Sequence, residues 1–257
     1  MQPVKPKKKL GQHFLKDHNI AVKIVDSLFE NNHLINILEI GPGTGILTSI
    51  LIERKANLNL IEIDNESIQY LNKHYPSIKN KIIKGDFLKF DLTKVFSSEF
   101  SIIGNFPYNI SSQILFKVLE NRNQINILVG MFQKEVAERV CAPPKNKTYG
   151  ILSVLVQAFY KAEYLFTVNE NVFIPPPKVK SGVIRITRNN TKQLNCNEEL
   201  FFKVVKTGFN YRRKTLKNAL SSIWDSNKFP ENKLFQLRAE QLDVTEFIEL
   251  TNLIDKL

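Results

Sequence analysis

The chain has 257 residues, of which 43% are hydrophobic and 24% charged, a composition that supports a packed core and excludes a disordered protein. Its formal net charge of +11 favours an anionic partner, with nucleic acid as the first candidate and a solvated lysine-rich surface as the alternative. Two distant cysteines without a C-x-x-C pattern argue against a disulfide framework and a metal site. No apolar run approaches the roughly 20 residues that cross a bilayer, so we expect a cytoplasmic protein.

Lysines and prolines dominate the start of the chain. This composition predicts a basic, flexible arm over residues 1–10, which suits phosphate contacts or simply keeps the end soluble. Phe14 and Leu15 would anchor the next segment to the body of the protein. Gln12 and His13 would therefore be held in place, although a lone histidine is more often structural than functional.

A helix predicted over residues 19–29 leads to a strand, turn and helix of the nucleotide-binding type. The strand spans residues 36–40, the glycine turn 41–45 and the helix 46–55. Glycines allow positive φ and a close approach of the backbone to a ligand. A dinucleotide fingerprint reads G-x-G-x-x-G/A, whereas this turn reads G-x-G-x-G and is followed by Ile46. This departure disfavours a bound pyrophosphate and admits a cofactor that lacks phosphates.

Acidic side chains follow the next two predicted strands. These strands span residues 57–63 and 81–84, with a helix over 66–74 between them. Glu62 and Asp64 lie where a carboxylate commonly binds ribose hydroxyls, and a solvated acidic turn is the competing interpretation. Asp86 could accept a hydrogen bond from the amine of an adenine ring beside Phe87, and a plain Asx turn is its competitor.

The stretch from Asn105 to Tyr108 follows a buried strand over residues 100–104 and precedes a helix start near 110–112. Asn105 offers an amide oxygen as acceptor, and Tyr108 offers a ring for stacking. Pro107 would stiffen the turn and leave its carbonyl free. Alone, the pattern also fits a proline turn with a buried tyrosine. Because the carboxyl ends of parallel strands meet at one edge of a sheet, we expect this loop and the acidic strand tips to converge there.

The remaining elements indicate a mixed sheet followed by a helical region. The predictions are a strand over 126–130, helices over 133–140 and 151–159, strands near 164–168 and 182–186, and helices over 198–210, 212–224 and 243–257. A polar segment over 187–197 is the best domain boundary. We therefore predict an α/β, Rossmann-like domain with a seven-stranded sheet over residues 11–187 and a small all-α C-terminal domain over 188–257.

Six basic residues and no acidic residue lie between Leu200 and Trp224. We assign this bias to contacts with an RNA backbone, although any single lysine could simply face solvent. The predicted RNA-binding residues are Lys206, Arg212, Arg213, Lys214 and Lys217.

Several blocks together carry a family resemblance. Residues 38–45, Glu62, 85–86 and 105–108 resemble S-adenosylmethionine-dependent adenine-N6 methyltransferases. Further blocks narrow the resemblance to the small-subunit (16S) ribosomal RNA adenine dimethyltransferase (KsgA/RsmA) family. These further blocks are 11–15, 132–136, 149–153, 173–179 and 209–216. The resemblance runs from about Lys8 to the carboxyl end, with two departures: Phe106 replaces the usual leucine or isoleucine and His13 an often-found asparagine.

The resemblance implies S-adenosyl-L-methionine as cofactor and assigns it a set of residues. His13 and Leu15 would line its methionine side, and Gly41 and Gly43 would let it lie against the turn. Glu62 would bind the ribose, and Asp86 and Phe87 the adenine. Asn105 would bridge the cofactor and the substrate.

The resemblance also implies a catalytic set and a partner. The Asn105 side-chain oxygen and the Pro107 carbonyl would accept hydrogen bonds from N6 of the target adenosine. Tyr108 and Phe173 would sandwich its base, although an aromatic before three prolines can equally close a core. The partner would be 16S rRNA within the immature small ribosomal subunit, bound by a monomer.

Other functions compete with an rRNA dimethyltransferase. One is a ribosome-assembly factor that acts mainly by binding, and another is a related methyltransferase for large-subunit rRNA or DNA. A nicotinamide-dependent oxidoreductase is disfavoured by Ile46 after the glycine turn.

Overall fold

The computed structural model describes residues 4–30 and 36–257. The chain divides into two compact units, of which the first comprises Met1–Ala137 and Glu163–Arg188 and the second Glu138–Ala162 and Asn189–Leu257. Within the described residues, no helix is long and apolar enough to cross a membrane.

A seven-stranded sheet with the order β4-β3-β2-β5-β6-β9-β7 confirms the predicted fold class. Its strands are β2 (Asn36–Ile40), β3 (Asn57–Glu62), β4 (Ile82–Lys84), β5 (Phe100–Asn105), β6 (Ile125–Gln133), β7 (Tyr160–Val168) and β9 (Ser181–Arg188). The pairs β2–β3, β3–β4, β2–β5 and β5–β6 are parallel, and β6–β9 is antiparallel. Strands β1 (Phe14–Leu15) and β8 (Phe173–Ile174) form a separate antiparallel pair, which the sequence analysis did not predict.

The helices of the first unit follow the strands as expected for crossover connections. They are α1 (His18–Phe29), α2 (Ile46–Glu53), α3 (Asn65–His74) and α4 (Ser111–Glu120), while α5 (Lys134–Cys141) begins in the first unit and ends in the second. Asp17 caps α1, because its side chain accepts a hydrogen bond from the Ile20 amide at 3.0 Å. Apolar residues of α1 and α2 pack with those of β2 and β3 in one hydrophobic core.

Parallel pairing brings the carboxyl ends of β2, β3, β4 and β5 to one edge of the sheet. Glu62 pairs with Lys84 across β3 and β4. Backbone hydrogen bonds continue the ladder beyond the strands, from Gly41 to the Ile61 carbonyl and from Gly85 to the Glu62 carbonyl, both at 2.9 Å. The residues that follow these strands are therefore neighbours, as the sequence predicted.

The second unit is helical. Its helices are α6 (Ile151–Gln157), α7 (Glu198–Asn210), α8 (Leu216–Leu220) and α9 (Val244–Ile254). Asp243 and Glu246 form a capping box at α9, with hydrogen bonds of 2.8 and 3.0 Å. The buried face of α6 packs against α7 and α9. Residues 138–162 therefore group with the helices, whereas the sequence analysis placed them in the catalytic domain.

Two predicted segments differ from the structure. The helix predicted over 212–224 is confirmed only over Leu216–Leu220, because a turn follows it and Arg212 lies in a turn before it, where it donates to the Lys147 carbonyl at 2.6 Å. The basic arm is not free over its described part, since Lys8–Leu10 form a 3-10 turn and the Lys7 ammonium pairs with Asp64.

Candidate active site

A cavity of about 190 Å³ lies at the strand tips of the first unit. Its walls come from the N-terminal segment, the glycine turn, the ends of β3 and β4 and the loop after β5. They include His13, Gly41, Gly43, Glu62, Asp86, Phe87, Asn105, Phe106, Pro107 and Tyr108. The structure thus brings together nearly all the residues that the sequence proposed for cofactor and substrate.

The glycine turn presents bare backbone to this cavity. Gly41 and Gly43 have φ of +64° and +56°, a region that favours glycine. A Cβ atom on Gly43 would lie 2.8 Å from Cε1 of Phe14, whereas one on Gly41 would have no atom within 4 Å. Packing therefore requires glycine at position 43, and position 41 leaves room for a ligand.

Glu62 is almost fully buried beside the turn. Its carboxylate accepts backbone hydrogen bonds from Gly43 at 3.1 Å and from Ile63 and Asp64 at 2.9 Å. Burial raises the pKa of Glu62, although these three N–H groups act in the opposite direction. A carboxylate has about four acceptor positions, so this fixed group can still accept from a ribose hydroxyl.

Asp64 does not line the cavity. Its carboxylate accepts hydrogen bonds from Gln12 at 3.4 Å and Ser67 at 3.1 Å and pairs with the Lys7 ammonium. Neither interpretation from the sequence was right, because Asp64 is neither a solvated acid nor available to a ribose.

Asp86 and Phe87 form the opposite wall. One Asp86 carboxylate oxygen accepts from the Leu88 amide at 3.0 Å, so the competing Asx turn is present. Asp86 also lines the cavity, and a carboxylate that accepts one hydrogen bond keeps acceptor positions for an adenine amine. The turn and the predicted contact are therefore compatible.

Asn105 is held in one orientation. Its side-chain nitrogen donates to the His13 carbonyl at 2.8 Å. A carbonyl can only accept, so this bond identifies the nitrogen and leaves Oδ1 as the acceptor at the cavity. The next residue, Phe106, is buried against Gly130, where a Cβ atom would lie 2.0 Å from its ring.

The Pro107 carbonyl is not free, contrary to the prediction. It accepts from the Ile110 amide at 3.2 Å and from the Ser111 hydroxyl at 3.3 Å. The turn that Pro107 starts thereby uses both acceptor positions of this oxygen. Phe106, the residue before Pro107, also lines the cavity.

Tyr108 and His13 hold each other in place. The Tyr108 hydroxyl hydrogen-bonds the Ser181 hydroxyl at 2.6 Å, and burial raises the pKa of Tyr108. The His13 ring stacks on the tyrosine with centroids 5.5 Å apart. His13 Nδ1 lies 2.8 Å from the Pro175 carbonyl, so Nδ1 carries a proton and donates. Ser181 is a contributor that the sequence analysis missed, since no motif marked it.

Leu15 and Phe173 are not brought to this cavity. They pair directly across β1 and β8, and both belong to the hydrophobic core. Phe173 is only 2% exposed. Tyr108 and Phe173 therefore do not form a sandwich for a base in this structure. Phe173 instead packs in the hydrophobic core, which was the alternative interpretation of its position.

The sequence model of a family described as ribosomal RNA adenine dimethylase matches residues 4–256. The chain belongs to this family. The match confirms the resemblance that the motifs indicated and shows an S-adenosylmethionine-dependent enzyme that dimethylates adenine in ribosomal RNA.

Curated relatives of this dimethylase include two named ribosomal RNA small subunit methyltransferase A. The chain is 57% identical to that of Flavobacterium johnsoniae, over 99% of this chain and 98% of the relative, and 58% identical to that of Cytophaga hutchinsonii, over 99% of each. A solved dimethyladenosine transferase from Plasmodium falciparum has a TM-score of 0.78 and 27% identity, covering 95% of this chain and 98% of that one.

The dimethylase cavity fits S-adenosylmethionine. Gly41 leaves open space beside the backbone, Glu62 offers a fixed carboxylate to a ribose, and Asp86 offers an acceptor to an adenine amine. When bound, the cofactor supplies a methyl group on a positively charged sulfur.

The basic residues of the second unit are partly engaged. Arg212 lies 3.8 Å from Glu240 and also donates to Lys147, and the Lys214 ammonium lies 4.9 Å from the Tyr211 ring centroid. Four of the predicted RNA-binding side chains are exposed, namely Lys206, Arg213, Lys214 and Lys217.

Glu39 is a buried carboxyl group to which the sequence analysis assigned no role. It is 1% exposed and accepts from the Thr48 hydroxyl at 2.7 Å. Burial raises the pKa of Glu39 to about 8, with the bond from Thr48 opposing the shift and the charge of Glu62 adding to it. An acidic residue inside the apolar run Ile37–Ile40 was the signal available in the sequence.

The Glu39→Gln variant should gain stability over the wild type as pH rises. From about pH 5 to 8 native Glu39 keeps a proton that the unfolded chain loses, so wild-type stability falls across that window. Glutamine removes this penalty, which is worth about 1.4 kcal/mol per pH unit at most. Urea unfolding at pH 5, 7 and 9 measures the difference in free energy of unfolding between variant and wild type. The control is Glu53→Gln, which changes an exposed carboxyl group. A stability difference that does not change with pH would contradict the account.

Proposed function

We propose that this dimethylase methylates N6 of two adjacent adenosines in a loop near the 3′ end of 16S rRNA in the small ribosomal subunit. The observation that carries the proposal is Asn105, whose amide is fixed with its oxygen as the acceptor at the cavity. The names of the relatives at 57% and 58% identity support the small subunit as the target.

Asn105 would activate a weak nucleophile. The N6 lone pair of adenine is delocalised into the ring, so the amine must be held and polarised before it can attack a methyl group. A hydrogen bond from N6 to Asn105 Oδ1 would do both. As the second acceptor we propose the Phe106 carbonyl, because the Pro107 carbonyl already accepts two hydrogen bonds.

Tyr108 would provide the stacking surface for the target base. Its hydroxyl forms a hydrogen bond with Ser181, and the His13 ring stacks on one face of its ring. The tyrosine ring is therefore held before the substrate arrives. Extruding a base from helical RNA costs a few kcal/mol, which stacking and backbone contacts offset. No strong general base is needed, since the N6 proton becomes acidic once the nitrogen is alkylated. The roles of Leu15 and Phe173 are to pack the core beneath this site.

The choice of nucleic acid is testable directly. Labelled S-adenosylmethionine would be incubated with the enzyme and, in parallel, immature small subunits, large subunits or DNA. We expect incorporation into small-subunit RNA. Preferred labelling of large subunits or DNA would favour the related methyltransferase function instead.

We propose that exposed basic residues of the second unit contact the rRNA backbone. Replacing Arg213 and Lys214 with glutamine should weaken RNA binding and lower the slope of its logarithmic salt dependence by about one per lost contact. The variant K73Q/K79Q removes the same charge from exposed sites in the first unit and serves as the control. Equal slopes for the two double variants would remove these residues from the interface.

We also propose a role in late assembly of the small subunit, in which binding matters beside catalysis. We propose that the enzyme works as a monomer in the cytoplasm, with catalysis in the first unit and RNA-backbone contacts in the second; the predicted bounds 11–187 and 188–257 differ from these units over residues 138–162. A catalytically inactive variant that still binds immature subunits would separate the two roles.

A further inference from the structure

The N-terminal segment is attached to the corner between β3 and α3. The Lys7 ammonium pairs with Asp64 and lies 3.0 Å from the Glu66 carboxylate. The Lys7 amide donates to Gln12 Oε1 at 2.8 Å, and Gln12 Nε2 donates to Asp64 at 3.4 Å. Lys7 and Gln12 therefore hold each other and the same carboxylate.

Asp64 is built to receive this segment. Its side chain is only 2% exposed and lies two residues beyond Glu62. Burial works to raise the pKa of Asp64, but hydrogen bonds from Lys7 and its neighbours outweigh that effect and hold the pKa below its ordinary value. A buried carboxylate requires a charged partner, and among the described residues Lys7 is the cation paired with it.

The same segment is fixed at its other end to the loop that carries Asn105. Asn105 donates to the His13 carbonyl, and Gly11 packs so closely on Asn109 that a Cβ atom would lie 2.6 Å from its side-chain oxygen. Residues 9–14 follow Lys7, include Gly11, Gln12 and His13, and form one wall of the cavity. The segment thus spans the cavity as a strap with an ionic attachment at one end.

We propose that Lys7 and Gln12 are positioning residues that fasten this strap to Asp64 and so set how long S-adenosylmethionine stays bound. The inference rests on the proposed placement of the cofactor in this cavity. In this proposal the strap moves aside to admit the cofactor, and re-forming the contacts with Asp64 closes it. Neither Lys7 nor Asp64 lines the cavity, so their contact acts on retention rather than on methyl transfer.

The matched test compares K7Q with K8Q, which removes the same charge one residue away from an exposed side chain. K7Q should bind S-adenosylmethionine about tenfold more weakly, mainly through faster dissociation, because a buried carboxylate loses its partner. K8Q should stay within about twofold of the wild type. At saturating cofactor, K7Q should keep its kcat while its KM for the cofactor rises.

A second variant and a positive control keep the outcomes distinct. Q12A should show the same pattern as K7Q, and calorimetry without RNA measures both variants. If K7Q and Q12A bind the cofactor like K8Q, while E62A loses binding, the strap proposal is overturned and the cavity assignment stands. If E62A also binds normally, the cofactor lies elsewhere and the placement in this cavity fails.

Discussion

Replacing Asn105 with alanine should lower kcat for methyl transfer by about 100- to 1000-fold, the usual cost of removing one preorganised polar group from a reacting centre. The side-chain oxygen would no longer accept from N6, so the amine would keep its lone pair in the ring. The loss also removes the hydrogen bond to the His13 carbonyl, which should loosen cofactor binding far less than it slows turnover. Single-turnover rates at saturating S-adenosylmethionine measure the effect.

The control for Asn105 is Asn126→Ala. Asn126 lies near the start of β6, at the opposite end of its strand from the cavity, and its amide bonds the Glu99 carboxylate at 2.7 Å. This variant loses the same amide group and should keep the wild-type rate. If Asn105→Ala lost cofactor affinity but kept kcat at saturation, Asn105 would be a cofactor ligand only.

Replacing Phe173 with alanine should lower the free energy of unfolding by about 3–5 kcal/mol, because it empties the volume of a buried aromatic ring. The side chain is 2% exposed and packs in the core with Leu15 and Val183. Chemical unfolding followed by fluorescence or circular dichroism measures the loss.

Phe173→Leu distinguishes core packing from stacking on the substrate. Leucine keeps most of the apolar volume, so the variant should fold with a smaller loss of stability and keep its turnover per folded molecule. A variant of near-wild-type stability whose turnover collapses would restore Phe173 as a stacking residue.

Local patterns predicted the residues at the strand tips. Parallel strands end at a common edge, so the positions of Glu62, Asp86 and Asn105 after apolar runs were sufficient to place them together. The glycine turn could also be predicted from the sequence, because the positive φ observed at Gly41 and Gly43 favours glycine at both positions.

Long-range contacts set the remaining details. Phe173 pairs with Leu15 in a two-residue strand pair, and this register decides whether its side chain points into the core. A shift of one residue would turn the side chain to the opposite face. The pairing of Lys7 with Asp64 joins positions 57 apart in sequence. Whether the Pro107 carbonyl is free to accept a hydrogen bond depends on how the following turn closes. The residue types alone did not specify that turn.

The most direct measurement is nucleoside analysis by mass spectrometry of small-subunit RNA after incubation with the enzyme and S-adenosylmethionine. We expect N6,N6-dimethyladenosine at two neighbouring positions near the 3′ end with the wild-type protein and almost none with Asn105→Ala. Unmodified RNA with the wild-type protein, or equal dimethylation by both proteins, would contradict it.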